Sequence, residues 1–155
     1  MDPQIKALIL DIIAKHRVMT VATLRPDGWP QATTVGYASD GMTLYFLCGA
    51  DSQKAANLSS CNKVSLTIDD DADQIMELKG VSMAATAEFV LDPALVSKLY
   101  TMLIAKYPGA ENLPPPDPAT VRYVRLTPKV ISVLDYSKGF GHTDLVAVEP
   151  DDLRS

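Results

Sequence analysis

Val18-Met19-Thr20-Val21-Ala22-Thr23-Leu24-Arg25-Pro26-Asp27-Gly28-Trp29-Pro30-Gln31-Ala32-Thr33-Thr34-Val35-Gly36-Tyr37 reads as a β-hairpin. Its first seven residues are β-branched, apolar or small, the types that fit a pleated surface. Arg25-Pro26-Asp27-Gly28 then puts proline and glycine where a type I turn wants them. The return strand, Gln31–Tyr37, ends at Ser39-Asp40-Gly41, a second turn signal leading into the apolar and aromatic run Met42–Cys48. Three antiparallel strands are therefore expected to follow one another as a meander. Val18–Leu24 and Thr43–Cys48 are nearly continuous in apolar residues, so both faces of each strand are expected to be covered. In a small barrel the second cover is most simply another subunit.

Upstream, Asp2-Pro3 supplies a cap and a first-turn proline, and Ile5, Leu8, Ile9, Ile12 and Ile13 recur at helical spacing to about His16. Downstream, Gly49–Leu58 passes from turn formers to helix formers, with Ser52 as the expected cap. Strands are expected at Lys63–Ile68 and Val81–Leu91. Asp92-Pro93 opens a helix whose buried stripe is Leu95, Val96, Leu99, Met102 and Leu103, and Pro108-Gly109 ends it. Leu113–Pro118, with four prolines in six residues, is a stiff surface connection. Two last strands, Val121–Leu126 and Val130–Leu134, precede a tail containing Gly139-Phe140-Gly141-His142. Six or seven antiparallel strands with two or three helices do not suit a doubly wound parallel sheet, which needs a helix between nearly all strand pairs. The expected class is mainly β (α+β), a small antiparallel β-barrel with peripheral helices. Residues 1–155 form one expected domain, with 137–155 loosely structured or contacting a partner in a dimer.

Composition narrows the function classes. With 155 residues, 47% of them apolar, there is material for one core. A net charge of −5 offers no footprint for a polyanion, so nucleic acid is not an expected partner. No stretch approaches the roughly 18 consecutive apolar residues of a membrane span, and Met1–Arg17 carries charges throughout, so neither insertion nor secretion is expected. Cys48 and Cys61 form no CxxC pair, and His16 and His142 are the only histidines, which excludes a Cys/His metal cluster. The expected compartment is reducing cytoplasm.

The stretch richest in chemistry is Asp51-Ser52-Gln53-Lys54, at a strand-to-helix junction. Free backbone N–H groups at a helix start, a capping hydroxyl and a lysine within one turn all favour a phosphate monoester. Capped helix starts near a lysine are common, so the spacing alone also fits a purely structural cap. Asp69-Asp70-Asp71 with Asp73 reads as a solvated loop, Cys48 as packing, and Trp29 as a hydrophobe at the hairpin tip. His16 closes the first helix, where an imidazolium suits the dipole.

The order of the first helix, Met19–Leu24, Pro26–Gln31, Asp40-Gly41, Leu44-Tyr45-Phe46, Ser52–Leu58 and Asn62–Leu66 resembles the FMN-binding split-barrel family, which includes pyridoxamine 5′-phosphate oxidase. The resemblance runs well from Lys6 to Leu91 and loosely over the last third. It implies an antiparallel split β-barrel and a homodimer with two FMN molecules at the interface. It places the FMN phosphate on Ser52, Gln53 and Lys54, the flavin and ribityl chain along Thr33, Thr34 and Val35, and further cofactor contacts at Leu47 and Cys48. The chain departs from the oxidase proper. Thr33 stands where the second-strand arginine is expected, Gln53-Lys54 replaces two basic residues, and Leu134 stands in place of an aromatic. Lys138 and His142 occupy the tail where the oxidase has an Arg-x-His element, and are the candidates for the substrate side. The implied activity is flavin-mediated hydride or electron transfer to a small molecule, and pyridoxamine 5′-phosphate itself is not the expected substrate. The same residues are open to a non-catalytic flavin- or tetrapyrrole-binding protein, and to a deazaflavin coenzyme in place of FMN.

Overall fold

The computed structural model describes residues 1–154. Three helices, α1 (Pro3–Lys15), α2 (Gln53–Ser60) and α3 (Pro93–Ile104), surround eight strands. The strands are β1 (Val18–Leu24), β2 (Pro30–Gly36), β3 (Ala38–Asp40), β4 (Thr43–Gly49), β5 (Lys63–Asp70), β6 (Lys79–Val90), β7 (Val121–Asp135) and β8 (Thr143–Ala147). They form one antiparallel sheet in the order β2-β1-β5-β6-β7-β4-β3, with β8 paired to the far half of β7. The sheet curls into the split barrel that the sequence implied.

The hairpin stands as read. Gly28 N–H donates to the Arg25 carbonyl at 2.9 Å, and Gly28 takes φ 90°, a left-handed conformation that favours glycine. The meander does not. β2 pairs only with β1, while β4 lies at the other end of the sheet beside β7. Tyr37 marks the departure: its ring is buried, its N–H donates to Arg17 O, and its hydroxyl donates to Ile13 O at 2.7 Å. The chain is thereby pinned beneath the end of α1 before β3 begins. The two last strands are also one. Pro128-Lys129, which suggests a break, is a bulge within β7, because Ala84 pairs with Val130 and Ala85 with Pro128. Beyond β7 the described residues build a 3₁₀ turn at Tyr136–Lys138, then β8, then a further turn at Pro150–Asp152, and Ser155 lies outside the described residues.

Alternation sets the core. Val21, Phe46, Leu66, Met83 and Val124 point inward, and α1 closes the barrel with Ile9, Ile12 and Ile13. The second face of β4 is covered, but by the chain itself: Tyr45, with Val90 and Tyr123, packs beneath Leu99 of α3. The second face of β1 is open, with Val18 49% and Leu24 42% exposed. Covering both strands with another subunit was thus unnecessary for β4 and is left outstanding for β1.

Candidate functional site

The loop after β4 returns into α2 through Ser52, whose hydroxyl donates to Gly49 O at 2.7 Å and accepts from Ala55 N–H at 3.1 Å. Lys54 lies half-buried in the first turn and makes no ion pair among the described residues. Gln53 turns away from the loop, and its amide donates to Asn57 Oδ1 at 2.8 Å. Asn57, wholly buried, donates in turn to Thr23 Oγ1 at 3.0 Å and Gln31 Oε1 at 3.1 Å. This amide cluster holds α2 against β1 and β2. Cys48 lies just inside the loop. Burial pushes its thiol pKa up, while the Ser52 hydroxyl and the Lys54 and Arg122 charges pull against the rise. Arg122 pairs in register with Cys48 and, with Ser52 and Phe89, lines a pocket of about 240 Å³. It is a second cation at the α2 end of the barrel.

The other predicted cofactor residues divide by parity. Thr33 and Val35 pair with Val21 and Met19 and share their inward face, whereas Thr34 is exposed on the outer one. Thr33 Oγ1 is a buried oxygen with no hydrogen-bond partner among the described residues. Leu47 packs in the cluster beneath α3. Lys138 and His142 are brought together, yet both meet Asp144: Lys138 Nζ lies 3.3 Å and His142 Nε2 3.1 Å from its Oδ2. The His142 and Lys138 hydrogen bonds hold the Asp144 carboxyl below its ordinary pKa.

The outer face carries a pattern that long-range pairing creates. Thr34 pairs with Thr20, Thr20 with Thr67, Thr67 with Ser82, and Ser82 with Ser132. Five hydroxyl side chains therefore form one row across five strands. Beside it runs a row of small residues, Ala32, Ala22, Ser65 and Ala84. The five hydroxyl residues are half-buried or exposed, and two concavities open along the row. One, about 490 Å³, is floored by Thr67, Ser82 and Ser132 and walled by Asp69, Leu78 and Leu134. The other, about 200 Å³, shares Thr67 and Asp69 and runs back over Thr20 and Thr34. Arg122 and Ser132 lie ten residues apart on β7, so the α2 loop and the larger cavity are separated by roughly 30 Å of strand.

Sequence reasoning missed Asn57, Arg122, Asp144 and the hydroxyl row. A polar residue on the core-facing side of α2 was the available signal for Asn57. The others depend on pairings distant in sequence. Among the described residues no group of three or more His, Cys, Asp or Glu side chains is arranged to hold a metal, and no helix is long and apolar enough to cross a membrane.

The family pattern described as pyridoxamine 5′-phosphate oxidase matches residues 3–135. No curated protein matches the sequence. Among solved structures, a conserved hypothetical protein from Mycobacterium tuberculosis is 27% identical with TM-score 0.75, covering 94% of this chain and 92% of that one. A heme binding protein from Mycobacterium smegmatis is 19% identical with TM-score 0.77, and the match covers 95% of this chain but 59% of that one. HutZ, the heme storage protein of Vibrio cholerae, is 19% identical with TM-score 0.62, covering 83% of this chain and 89% of that one. The last two likenesses are of fold.

Proposed function

The chain belongs to the pyridoxamine 5′-phosphate oxidase family, and from that premise we propose that it is a homodimeric, FMN-dependent oxidoreductase acting on a small molecule. Lys54 carries the reading. A half-buried ammonium in the first turn of a capped helix, with no carboxylate paired to it, is a charge awaiting an anion. On β2 it is Thr34 that presents its hydroxyl on the outer face, where a ligand lying along that strand would meet it. When bound, FMN supplies the hydride or electron transfer. The protein's part is to grip the phosphate through Ser52 and Lys54, and to offer the hydroxyl-lined face as a flat polar bed.

Dimerisation is part of the same proposal. About 30 Å of strand separates the phosphate loop from the large cavity, farther than one FMN reaches. A second copy laid over the open face joins one protomer's loop to its partner's cavity and covers Val18 and Leu24. The test is FMN titration of the apo-protein. Lys54→Ala is expected to weaken FMN about 10- to 150-fold, the contribution of hydrogen bonds to a charged group, and to leave riboflavin, which has no phosphate, almost unchanged. Equal FMN affinity in both proteins refutes the assignment.

A non-catalytic tetrapyrrole-binding role is the second reading, favoured by fold neighbours described as heme binding and heme storage proteins. Hemin and FMN added separately to the apo-protein, followed by NAD(P)H and an electron acceptor, separate the two. Tight hemin binding without flavin turnover favours the second.

A further inference from the structure

The cavity of about 490 Å³ between β5, β6, β7 and β8, which the flavin reading fills, is lined by one cation, Lys79, half-buried at the start of β6. The other cations at this end of the barrel are engaged. Lys15 pairs with Asp11 at 2.7 Å and Asp70 at 3.7 Å, while Lys138 and His142 both bond to Asp144. Lys79 makes no ion pair among the described residues. The carboxylates opposite it in the ladder have partners elsewhere: Asp70 meets His16 at 3.0 Å, and Asp135 accepts the Ser137 hydroxyl at 2.6 Å and its N–H at 3.1 Å. Burial opposes ionisation of Asp135, but the Ser137 bonds, helped by the charges of Lys79 and Lys138, keep that carboxyl below its usual range. Asp69 and Asp71 also line the cavity, yet both are exposed, and water and salt screen an exposed charge more than a half-buried one.

We propose that Lys79 is the charge against which the flavin ring is reduced. A hydride from a donor such as NAD(P)H carries two electrons and one proton to the ring, the donor leaves oxidised, and one net negative charge is left on the ring. A half-buried ammonium beside the ring stabilises that charge and gains little from the neutral oxidised form, so it raises the reduction potential. Lys79 keeps its proton throughout. In the dimer it belongs to the partner of the chain whose Ser52 and Lys54 grip the phosphate, so one chain governs affinity and the other governs potential. This assignment rests on the flavin reading, which the Lys54→Ala titration tests separately.

Lys79→Met and Lys79→Arg, each loaded with FMN, are to be titrated against a redox dye and, separately, with sulfite, whose addition to the ring leaves the same negative charge. Lys79→Met is expected to weaken sulfite about tenfold, the lower end for a bond to a charged group. The reduction equilibrium should move by the same factor, lowering the potential by about 30 mV for a two-electron couple. Lys79→Arg keeps the charge and should stay near wild type in both measurements. The affinity for oxidised FMN should hardly change in either variant, and because Lys79 is partly exposed both are expected to keep their fold. If wild type binds no FMN, the flavin reading and this assignment fall together. If FMN binds and Lys79→Met retains the wild-type potential and sulfite affinity, or Lys79→Arg loses them as Lys79→Met does, the role of Lys79 is overturned and the flavin reading stands.

Discussion

Replacing Asn57 by alanine is expected to loosen the whole α2 end of the barrel, although Asn57 touches no proposed ligand. The side chain is 0% exposed and Thr23 beneath it 2%. Its amide nitrogen donates to Thr23 Oγ1 at 3.0 Å and Gln31 Oε1 at 3.1 Å, and its oxygen accepts from Gln53 at 2.8 Å. The first two bonds are sheltered, and each contributes about 1 kcal/mol net. The third involves an exposed partner and adds little. Thr23 can redirect its hydroxyl, but Gln31 loses a donor, so the loss is about 2 kcal/mol. For a chain of this length that lowers Tm by about 4–8 °C. Urea unfolding of wild type and Asn57→Ala measures it directly, with the midpoint falling and the slope unchanged. FMN affinity should fall as well, because the helix carrying Ser52 and Lys54 is no longer held on β1 and β2. A stability change under about 0.5 kcal/mol, typical of an ordinary surface site, would refute the clamp.

The protein should scatter light as a species of about twice its 16.8 kDa chain mass, and Ala22→Arg, a charge set in the middle of the open face, should shift it toward monomer; a wild-type monomer that still binds FMN defeats the shared site. Pyridoxamine 5′-phosphate should be a poor substrate even for the FMN-loaded protein, since Lys138 and His142 are committed to Asp144 and a lysine lacks the bidentate fork of arginine; kcat/KM above about 10⁴ M⁻¹s⁻¹ contradicts this. Asp144 has a depressed folded-state pKa, so its contribution to holding the β7–β8 hairpin is complete above the unfolded carboxylate value and is lost as pH falls through the folded one. Carboxyl ¹³C shifts should place its midpoint below that of an ordinary aspartate, and a midpoint at or above it removes the bridge from the account.

The elements that local signals define were legible. Asp2 before Pro3 caps α1, accepting the Gln4 and Ile5 N–H groups, and the turn at Arg25–Gly28 closes as its residue types require. What misled was adjacency. Only the three-residue β3 separates β2 from β4, and strands close in sequence usually pair, but the choice here is made by Tyr37, whose hydroxyl donates to Ile13 O on α1. The apolar run of β4 likewise could not reveal whether its second face meets a partner or α3, because Leu99 lies more than 50 residues away. Pro128 removes an amide N–H and so reads as a strand end. A bulge instead accommodates it and lets β7 bridge three neighbours, β4, β6 and β8.

The site was legible only where it is local. Ser52 and Lys54 share one turn, so their proximity is settled by the helix itself. The hydroxyl row is different: Thr20, Thr34, Thr67, Ser82 and Ser132 each look like ordinary alternating strand residues, and only the register of four strand pairs places them in line. A one-residue slip in any pair would turn the slipped strand's hydroxyl to the opposite face and bring an inward-facing residue such as Leu66 to the outer one. The buried alternation that fixes the core, Val21 against Leu66 against Met83 against Ile131, therefore also fixes the bed on the outside. Packing on one face of this sheet is what aligns the chemistry on the other.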